Sequence, residues 1–331
     1  MVTPPEMWAV QYDSPAKYAS DLRIGKVRTP KPALGELLVR VTAAALNRAD
    51  LLQRRGFYPP PTGASAILGL EVVGEVVQAA GAWQVGQRVM AVVTGGGYGE
   101  YACVPAKEAM PVPANLTDAR AAAIPEAFLT AWLNLITLGE LQAGEAIFIH
   151  AGASGVGSAA IQLAHHWGAT VYTAAGNAAK RELCRQLGAD MVRDSRMPPH
   201  AVDVKNATAG RGVNMVLDML GAPAWEDNCA MLAQGGRMLL LGFLAGSKGA
   251  IDLGPILTRS LTIKGTTLRR TPAAVKAALV ATASAWLLPR FAQGVLLPVL
   301  DQTYSVKDVA AAHQRMESNA NAGKIILTME W

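Results

Sequence analysis

The pattern of hydrophobic and polar residues changes part-way along the chain. Up to about residue 120, short runs of β-type residues are separated by Gly- and Pro-rich turns. These runs predict four strands, at residues 37–42, 72–78, 87–94 and 99–104. Such close spacing is typical of a compact, largely antiparallel β domain.

Strands and helices alternate between residues 124 and 267. An apolar run at 146–150 predicts a buried strand, 158–167 has the periodicity of a helix, and 170–175 predicts the next strand. Further strands are expected at 191–192, 213–217, 237–241 and 261–265. This alternation predicts a parallel, doubly wound sheet.

The C-terminal segment resembles neither pattern alone. It predicts an Ala-rich helix at 272–287, a strand at 295–300, a helix at 306–317 and a last strand at 324–329. That order suggests that the tail returns to complete the first domain. Because 331 residues exceed the usual size of a single core, we expect two domains: 1–123 with 270–331, and 124–269.

The segment 151–157 is a turn of small residues between a predicted strand and a predicted helix. On a G-x-G-x-x-G template it reads Gly152-Ala153-Ser154-Gly155-Val156-Gly157, with Ser154 in place of the middle glycine. A strand, tight turn and helix in this order favour the pyrophosphate of a dinucleotide. Ser154 would either donate its hydroxyl to the ligand or reflect a wider turn.

The end of the second strand indicates which dinucleotide is bound. The segment 174–177 contains no Asp or Glu to hold a ribose 2′-hydroxyl, and Lys180 and Arg181 follow it. A carboxylate there would repel a 2′-phosphate, whereas a cation would attract one. The sequence therefore predicts NADPH rather than NADH.

A strand, turn and helix that carry a serine also occur in the α/β-hydrolases, where the triad order Ser154, Asp218, His313 would match. The hydrolase turn requires glycine at the position of Val156, and His313 lies in a helical pattern. Dinucleotide binding is therefore the preferred interpretation.

Composition narrows the class of protein without identifying it. The chain has 51% hydrophobic residues, 17% charged residues, a net charge of +5 and three isolated cysteines. This describes a globular protein without a disulfide framework. The basic balance suits an anionic ligand and permits weak nucleic-acid binding. No secretory signal is visible and the apolar runs are too short to span a bilayer, so we expect a cytoplasmic protein.

Several segments together resemble one family. They are AALNRADLLQRRGFYPPP (44–61), LGLEVVGEV (68–76), AAAIPEAFLTAW (121–132), IHAGASGVGSAAIQLA (149–164) and NAGKIIL (321–327). The chain resembles the zinc-free, zeta-crystallin-like quinone oxidoreductases of the medium-chain dehydrogenase/reductase superfamily, most closely the branch induced by a tumour suppressor. This resemblance implies a Rossmann domain, a GroES-like substrate domain, NADPH as cofactor and a homodimer.

The resemblance also implies roles for individual residues. Asn47 and Tyr58 match family residues near the nicotinamide. Cofactor contacts are implied for Thr130, Gly152, Ser154, Gly155, Val156, Gly157, Gly176, Asn177, Lys180, Gly242, Phe243, Thr267, Leu268 and Lys324. Two positions depart from the family: Asn177 replaces a serine, and Ser195 replaces a tyrosine, for which Arg193 or Arg196 would compensate.

The sequence predicts no catalytic zinc. Zinc-dependent relatives use Cys, His and a further Cys or acid, whereas Asn47, Leu70 and Glu126 stand at the corresponding positions. Asn47 is also a candidate N-cap of a helix at 48–55, with Asp50 reaching back to it.

Without zinc, the expected chemistry is hydride transfer to an electrophilic quinone, with Tyr58 as a donor to the developing oxyanion. Two alternatives stay open. One is an enoyl reductase on the same fold, and the other is an RNA-binding or crystallin-like role, for which no RNA-recognition motif is present.

Overall fold

The computed structural model describes residues 3–331. The strands are β1 (Glu6–Gln11), β2 (Arg23–Arg28), β3 (Glu36–Ala45), β4 (Glu71–Gln78), β5 (Arg88–Val92), β6 (Tyr101–Pro105), β7 (Ala109–Pro111), β8 (Ala146–Ile149), β9 (Thr170–Ala175), β10 (Met191–Asp194), β11 (Val213–Asp218), β12 (Leu232–Leu240), β13 (Thr262–Gly265), β14 (Leu300–Ser305) and β15 (Lys324–Thr328). The α-helices are α1 (Arg48–Arg54), α2 (Asp118–Ala121), α3 (Pro125–Trp132), α4 (Gly155–His166), α5 (Ala178–Gln186), α6 (Ala201–Ala207), α7 (Trp225–Met231), α8 (Gly254–Thr258), α9 (Ala273–Ala292) and α10 (Val309–Glu317).

The chain forms two compact units. The first unit contains the residues up to Leu129 together with Arg269–Trp331, and the second contains Thr130–Leu268. In the first unit a seven-stranded sheet has the order β14-β15-β3-β4-β5-β7, with β6 paired to β3. All its pairs are antiparallel except β14 with β15. Because β15 pairs with β3, the C-terminal segment is part of this sheet.

The second unit contains a six-stranded parallel sheet with the order β10-β9-β8-β11-β12-β13. This is the doubly wound order, in which the direction of winding reverses between β8 and β11. Ligands bind such sheets at the carboxyl ends of the strands beside this reversal. The predicted fold class, a Rossmann sheet plus a mainly antiparallel β domain, is confirmed.

Two element predictions need correction. The strand expected at 295–300 is wrong, because the strand is β14, Leu300–Ser305. Pro298 lacks an amide hydrogen and disfavours the earlier segment, while the polar sequence of β14 hid it from an apolar pattern. Helix α4 begins at Gly155 rather than at residue 158, because Ser154 caps it.

One helical stretch, Asp118–Leu138, has the length and composition of a membrane span, with a mean hydropathy of 1.4. Of its most apolar window, 78% is buried inside the structure. The buried core helix of a globular protein meets the same criteria, so this stretch is weak evidence for a membrane span.

Gly74 allows β3 and β4 to approach closely. A Cβ atom at this position would lie 2.0 Å from the carbonyl oxygen of Arg40 in β3. The ladder shifts register next to this point, between Val41 and Ala43. Asn47 follows the end of β3, and Glu71 is the first residue of β4. The close approach of the two strands at Gly74 therefore helps to set the distance between Asn47 and Glu71.

We predict that Gly74→Ala lowers the free energy of unfolding by about 2 kcal/mol, because the added methyl group must push two strands apart. Thermal or urea unfolding measures this loss. Gly265→Ala is the control, since a Cβ there meets nothing within 4 Å. Equal stability of the two variants would contradict the steric argument.

Candidate active site

The turn before α4 presents free backbone amides. Ser154 is the N-cap of α4, and its Oγ accepts a hydrogen bond from the amide of Gly157 at 3.0 Å. Within residues 3–331 no acceptor meets the amides of Gly155 and Val156. The serine hydroxyl therefore caps the helix, and the two remaining amides are available for an anion.

Steric constraints explain the glycines of this turn. A Cβ on Gly152 would lie 2.1 Å from Oγ1 of Thr173 in β9, and a Cβ on Gly157 would lie 2.2 Å from the carbonyl oxygen of Ala151. Thr173 in turn donates its hydroxyl to the carbonyl of Ile149 at 2.6 Å. Helix α4 can therefore lie this close to the sheet only if both positions lack a side chain.

An acid of the neighbouring strand lies beside the carboxyl end of β9, and the sequence pattern did not reveal it. β9 ends at Ala175 without a carboxylate, but Asp194 of β10 lies directly opposite Ala175. Asp194 forms ion pairs with Arg196 at 2.5 Å and with Arg181 at 2.9 Å. Hydrogen bonds from Arg196, assisted by Arg181, hold the pKa of Asp194 well below its usual range. The acid is therefore charged at neutral pH and paired with both arginines.

The residues expected at the 2′-phosphate lie next to this acid. Asn177 caps α5 by accepting from the amide of Lys180 at 2.8 Å, and Lys180 itself is half-buried. Ser195, at the position of the family tyrosine, has its Oγ 3.7 Å from where a Cβ on Gly176 would lie. Arg193 pairs with Asp203 at 2.6 Å.

The other predicted cofactor residues differ in exposure. Thr130 and Leu268 are buried, Gly242 is half-buried, and Phe243 and Thr267 are exposed. Their roles stay predictions.

In the first unit, Lys324 joins a buried polar cluster with Asn47 and Glu71. The Lys324 ammonium donates to Oδ1 of Asn47 at 2.6 Å, to Oε1 of Glu71 at 2.7 Å and to the carbonyl of Leu46 at 2.8 Å. The Asn47 amide donates to Oε1 of Glu71 at 2.8 Å. All polar groups of this triad that face one another are thus matched as donor and acceptor.

Asp50 supports the cluster from α1. It is fully buried and accepts from the amides of Asn47 at 2.7 Å and Gly69 at 3.0 Å and from the hydroxyl of Tyr98 at 3.3 Å. Burial raises the pKa of Asp50 to about 6, although these donors and Lys324 oppose the rise. Asp50 therefore reaches back to Asn47 as expected, while the side chain of Asn47 is directed to Glu71 and Lys324.

Glu126 is the remaining acid of the cluster. It lies in the first turn of α3, and its amide donates to Oε2 of Glu71 at 2.9 Å. Protein surrounds its carboxyl, yet part of the residue stays accessible, and no donor in the described chain, 3–331, meets that carboxyl. Burial, with repulsion from the Glu71 carboxylate, raises the pKa of Glu126 to about 8. The group is therefore mainly protonated at neutral pH.

Tyr58 is half-buried, and its ring faces two guanidinium groups. Their central carbons lie 5.3 Å (Arg269) and 6.0 Å (Arg270) from the ring centroid. The hydrolase alternative finds no support, because His313 belongs to the first unit and its Nδ1 faces Arg54 at 3.3 Å. Burial lowers the pKa of His313 to about 3.

Comparison with known proteins assigns both units to one superfamily. Residues 33–114 match the alcohol dehydrogenase GroES-like domain, and residues 155–284 match the zinc-binding dehydrogenase family. The chain belongs to the medium-chain dehydrogenase/reductase superfamily.

Relatives within the superfamily differ in the reactions that their names state. The chain is 34% identical over 327 residues to a phenolphthiocerol/phthiocerol polyketide synthase of Mycobacterium tuberculosis; this covers 97% of the chain but 15% of that protein. The structure of mycobacterial Rv1454c complexed with NADPH is 29% identical in sequence to this chain and has a TM-score of 0.87. The match covers 98% of this chain and 100% of Rv1454c. The structure of a mycobacterial quinone oxidoreductase is 28% identical, with a TM-score of 0.84 and coverage of 98% of this chain and 100% of that one. The structure of the JamJ enoyl reductase is 25% identical, with a TM-score of 0.85 and coverage of 98% and 99%.

The residues of the second unit fit the dinucleotide that its Rossmann fold implies. Gly152 and Gly157 leave space that side chains would fill, and the amides of Gly155 and Val156 are directed to no protein acceptor within residues 3–331. These amides would hold the pyrophosphate of a nicotinamide dinucleotide.

The residues of the first unit do not fit the zinc that the name of the matching family implies. Asn47 offers an amide, Leu70 is aliphatic and buried, and the Glu71 carboxylate is bound by the Lys324 ammonium. None of these matches the thiolate and imidazole ligands of a catalytic zinc. A fixed cation of the protein, Lys324, instead neutralises Glu71.

Sequence reasoning missed three features of these sites. Asp194 comes from the neighbouring strand, so no pattern within the βαβ segment shows it. Lys324 bonds Asn47, which is 277 residues away in sequence, and Glu71, whereas its contact with the cofactor stays a prediction. Arg269 carries no motif at all. Each depends on contacts between distant segments of the chain.

We predict that Gly152→Ala weakens NADPH binding at least tenfold, because the new methyl group collides with Oγ1 of Thr173. The double variant Gly152→Ala/Thr173→Ala should recover part of the affinity, since it removes that oxygen. Titration of NADPH fluorescence measures both. An unaltered affinity in the single variant would refute this account of the turn.

Proposed function

We propose that this protein is an NADPH-dependent reductase of carbon–carbon double bonds conjugated to a carbonyl group. The observation that carries the proposal is Glu126, a carboxyl group that is protonated at neutral pH and has no protein partner within residues 3–331. Reduction of such a double bond needs a hydride on the β-carbon and a proton on the α-carbon. A neutral carboxyl is a suitable source of that proton.

The cluster around Glu126 keeps this proton available. NADPH supplies the hydride when it is bound. Burial favours the protonated form of Glu126, and repulsion from the Glu71 carboxylate, which pairs with Lys324, adds to this effect. After Glu126 has given its proton to the α-carbon, its carboxylate takes another proton from water.

Two relatives support this substrate class. The JamJ structure is named as an enoyl reductase, and the Mycobacterium tuberculosis relative is named as part of a polyketide synthase. Quinone reduction is the second candidate, favoured by the mycobacterial quinone oxidoreductase and by Tyr58 as a hydroxyl donor. A quinone accepts its protons on oxygen, where water delivers them easily, so it does not require Glu126.

The cofactor preference and the cellular location are part of the proposal. NADPH is supported by the absence of an acid at the end of β9, by Lys180 and by the pairing of Asp194 with two arginines. Cys103, Cys184 and Cys229 are free thiols, as is usual in a reducing compartment such as the cytoplasm. The homodimer that the family resemblance implies stays a prediction.

We predict that the purified protein oxidises NADPH faster with a 2-enoyl thioester than with an ortho-quinone at equal concentration. Glu126→Gln should lower kcat on the thioester by about a hundredfold, because the proton donor is lost. Quinone reduction should fall much less. Glu6→Gln, an exposed acid of the same unit, is the control.

The pH profile of the thioester reaction tests the same acid. Because only protonated Glu126 can donate, the rate should fall as the pH rises above about 8, the pKa of this group. The charged groups around it are Glu71, Lys324, Asp50, Lys276 and Arg269. If the rate of Glu126→Gln falls above the same pH, Glu126 is not the group that causes the fall. In the substrate comparison, a clear preference for quinones would overturn the proposal.

We predict that Lys180→Gln weakens NADPH binding about tenfold and leaves NADH binding nearly unchanged, because the lost cation would attract the 2′-phosphate that NADH lacks. Fluorescence titration of both cofactors measures the effect. Lys248→Gln, an exposed cation of the same unit, serves as the control. Equal affinity of the parent protein for NADPH and NADH would contradict the cofactor assignment.

A further inference from the structure

The first unit contains a cavity of about 480 Å³. This volume lies within the usual range for sites of small organic ligands. Its wall is mixed: Val92, Val93 and Pro105 contribute apolar surface, and Arg269 and Arg270 contribute positive charge. No role described above uses this cavity.

Arg269 is the unusual residue of the cavity wall. It is only 7% exposed, and its Nε donates to the carbonyl oxygen of Thr94 at 2.9 Å, while Nη2 donates to the same oxygen at 2.5 Å. Its Nη1 is buried and has no hydrogen-bond partner in the described chain, 3–331. Burying an unpaired donor of a charged group is costly, so this atom indicates a missing acceptor.

The acids of the cavity wall do not supply that acceptor. Glu108 is buried and pairs with Lys276 at 3.6 Å. Glu36 accepts from the amide of Ala33 at 2.9 Å. Burial lowers the pKa of Arg269, with nearby Tyr58 and the Asp50 carboxylate opposing the effect, so the guanidinium remains a cation.

We propose that this cavity binds an oxyanion, a phosphate or carboxylate on the distal part of the acceptor molecule, and that the guanidinium of Arg269 is its donor. Arg270, which is exposed at the cavity wall, adds a second cation. The apolar wall contacts the adjoining carbon chain. The inference rests on the proposed function only in naming the reducible acceptor as the ligand.

The position of Arg269 connects the cavity with the candidate catalytic residues. Its guanidinium faces the ring of Tyr58 at 5.3 Å, and the cavity also includes Pro61 from the same loop. An oxyanion that Arg269 holds in the cavity therefore lies close to Tyr58. A substrate carrying a charged tail gains affinity there that an uncharged analogue lacks.

Equilibrium binding separates this site from catalysis. Butyryl-coenzyme A, a saturated thioester that cannot be reduced, carries phosphates, and butyryl-N-acetylcysteamine has the same thioester without them. We expect calorimetry to show at least tenfold tighter binding of the coenzyme A thioester. Arg269→Gln should reduce that ratio at least fivefold, and Arg28→Gln, an exposed arginine of the same unit, should preserve it.

Competition measurements identify the oxyanion, and a second variant tests the site in case the first does not fold. Inorganic phosphate and acetate are each tested as competitors, and the one that displaces the thioester identifies the favoured group. Arg270→Gln should give a smaller loss, which supports the site even if Arg269→Gln does not fold. Equal binding of the two thioesters, or a ratio that neither arginine variant changes, overturns the proposal.

The two proposals fail in different ways. Binding of the coenzyme A thioester that depends on Arg269, in a protein that reduces no enoyl substrate, supports the oxyanion site and refutes the enoyl function. Reduction of enoyl thioesters with no dependence of binding on either arginine supports the function and refutes the site.

Discussion

The ion pair between Glu71 and Lys324 is the interaction on which the candidate catalytic cluster depends. Both groups are buried, at 0% and 5% exposure, so neither charge is tolerable without the other. The pair joins the start of β4 to the start of β15 and holds the amide of Asn47 between them. It also places a carboxylate beside Glu126, and that charge adds to the effect of burial in raising the pKa of Glu126, while Lys324 opposes it. One internal ion pair therefore sets the geometry of the cluster and contributes to its protonation.

The two units use the backbone and the side chains in different ways. In the second unit the anion site consists of amide groups, and the side chains contribute mainly by being absent, as Gly152 and Gly157 show. In the first unit the side chains form the site, and the backbone serves to align them. This division explains why the turn before α4 is easy to recognise in a sequence and the acid cluster is not.

Local patterns predicted the fold class and most strands, because alternation and turn residues are properties of neighbouring positions. They failed where a segment lacks such a signal, as at the polar strand β14. The candidate site was predicted where a motif is contiguous, as at Ser154. It was missed where the partners are distant, as with Arg269 and the carbonyl of Thr94. Such contacts follow from the tertiary structure; for the cluster of the first unit, the family resemblance supplied the positions of Asn47 and Lys324 but not their partner Glu71.

Asp194 has a consequence for how cofactor preference could change during evolution. The carboxylate already lies opposite the last residue of β9, and two arginines mask its charge. Loss of either arginine would expose a negative charge at the ribose end of the site without any new acid. A change of preference from NADPH to NADH therefore needs only a substitution that removes one of these arginines. Many different substitutions remove an arginine, whereas only Asp or Glu at one defined position would add an acid.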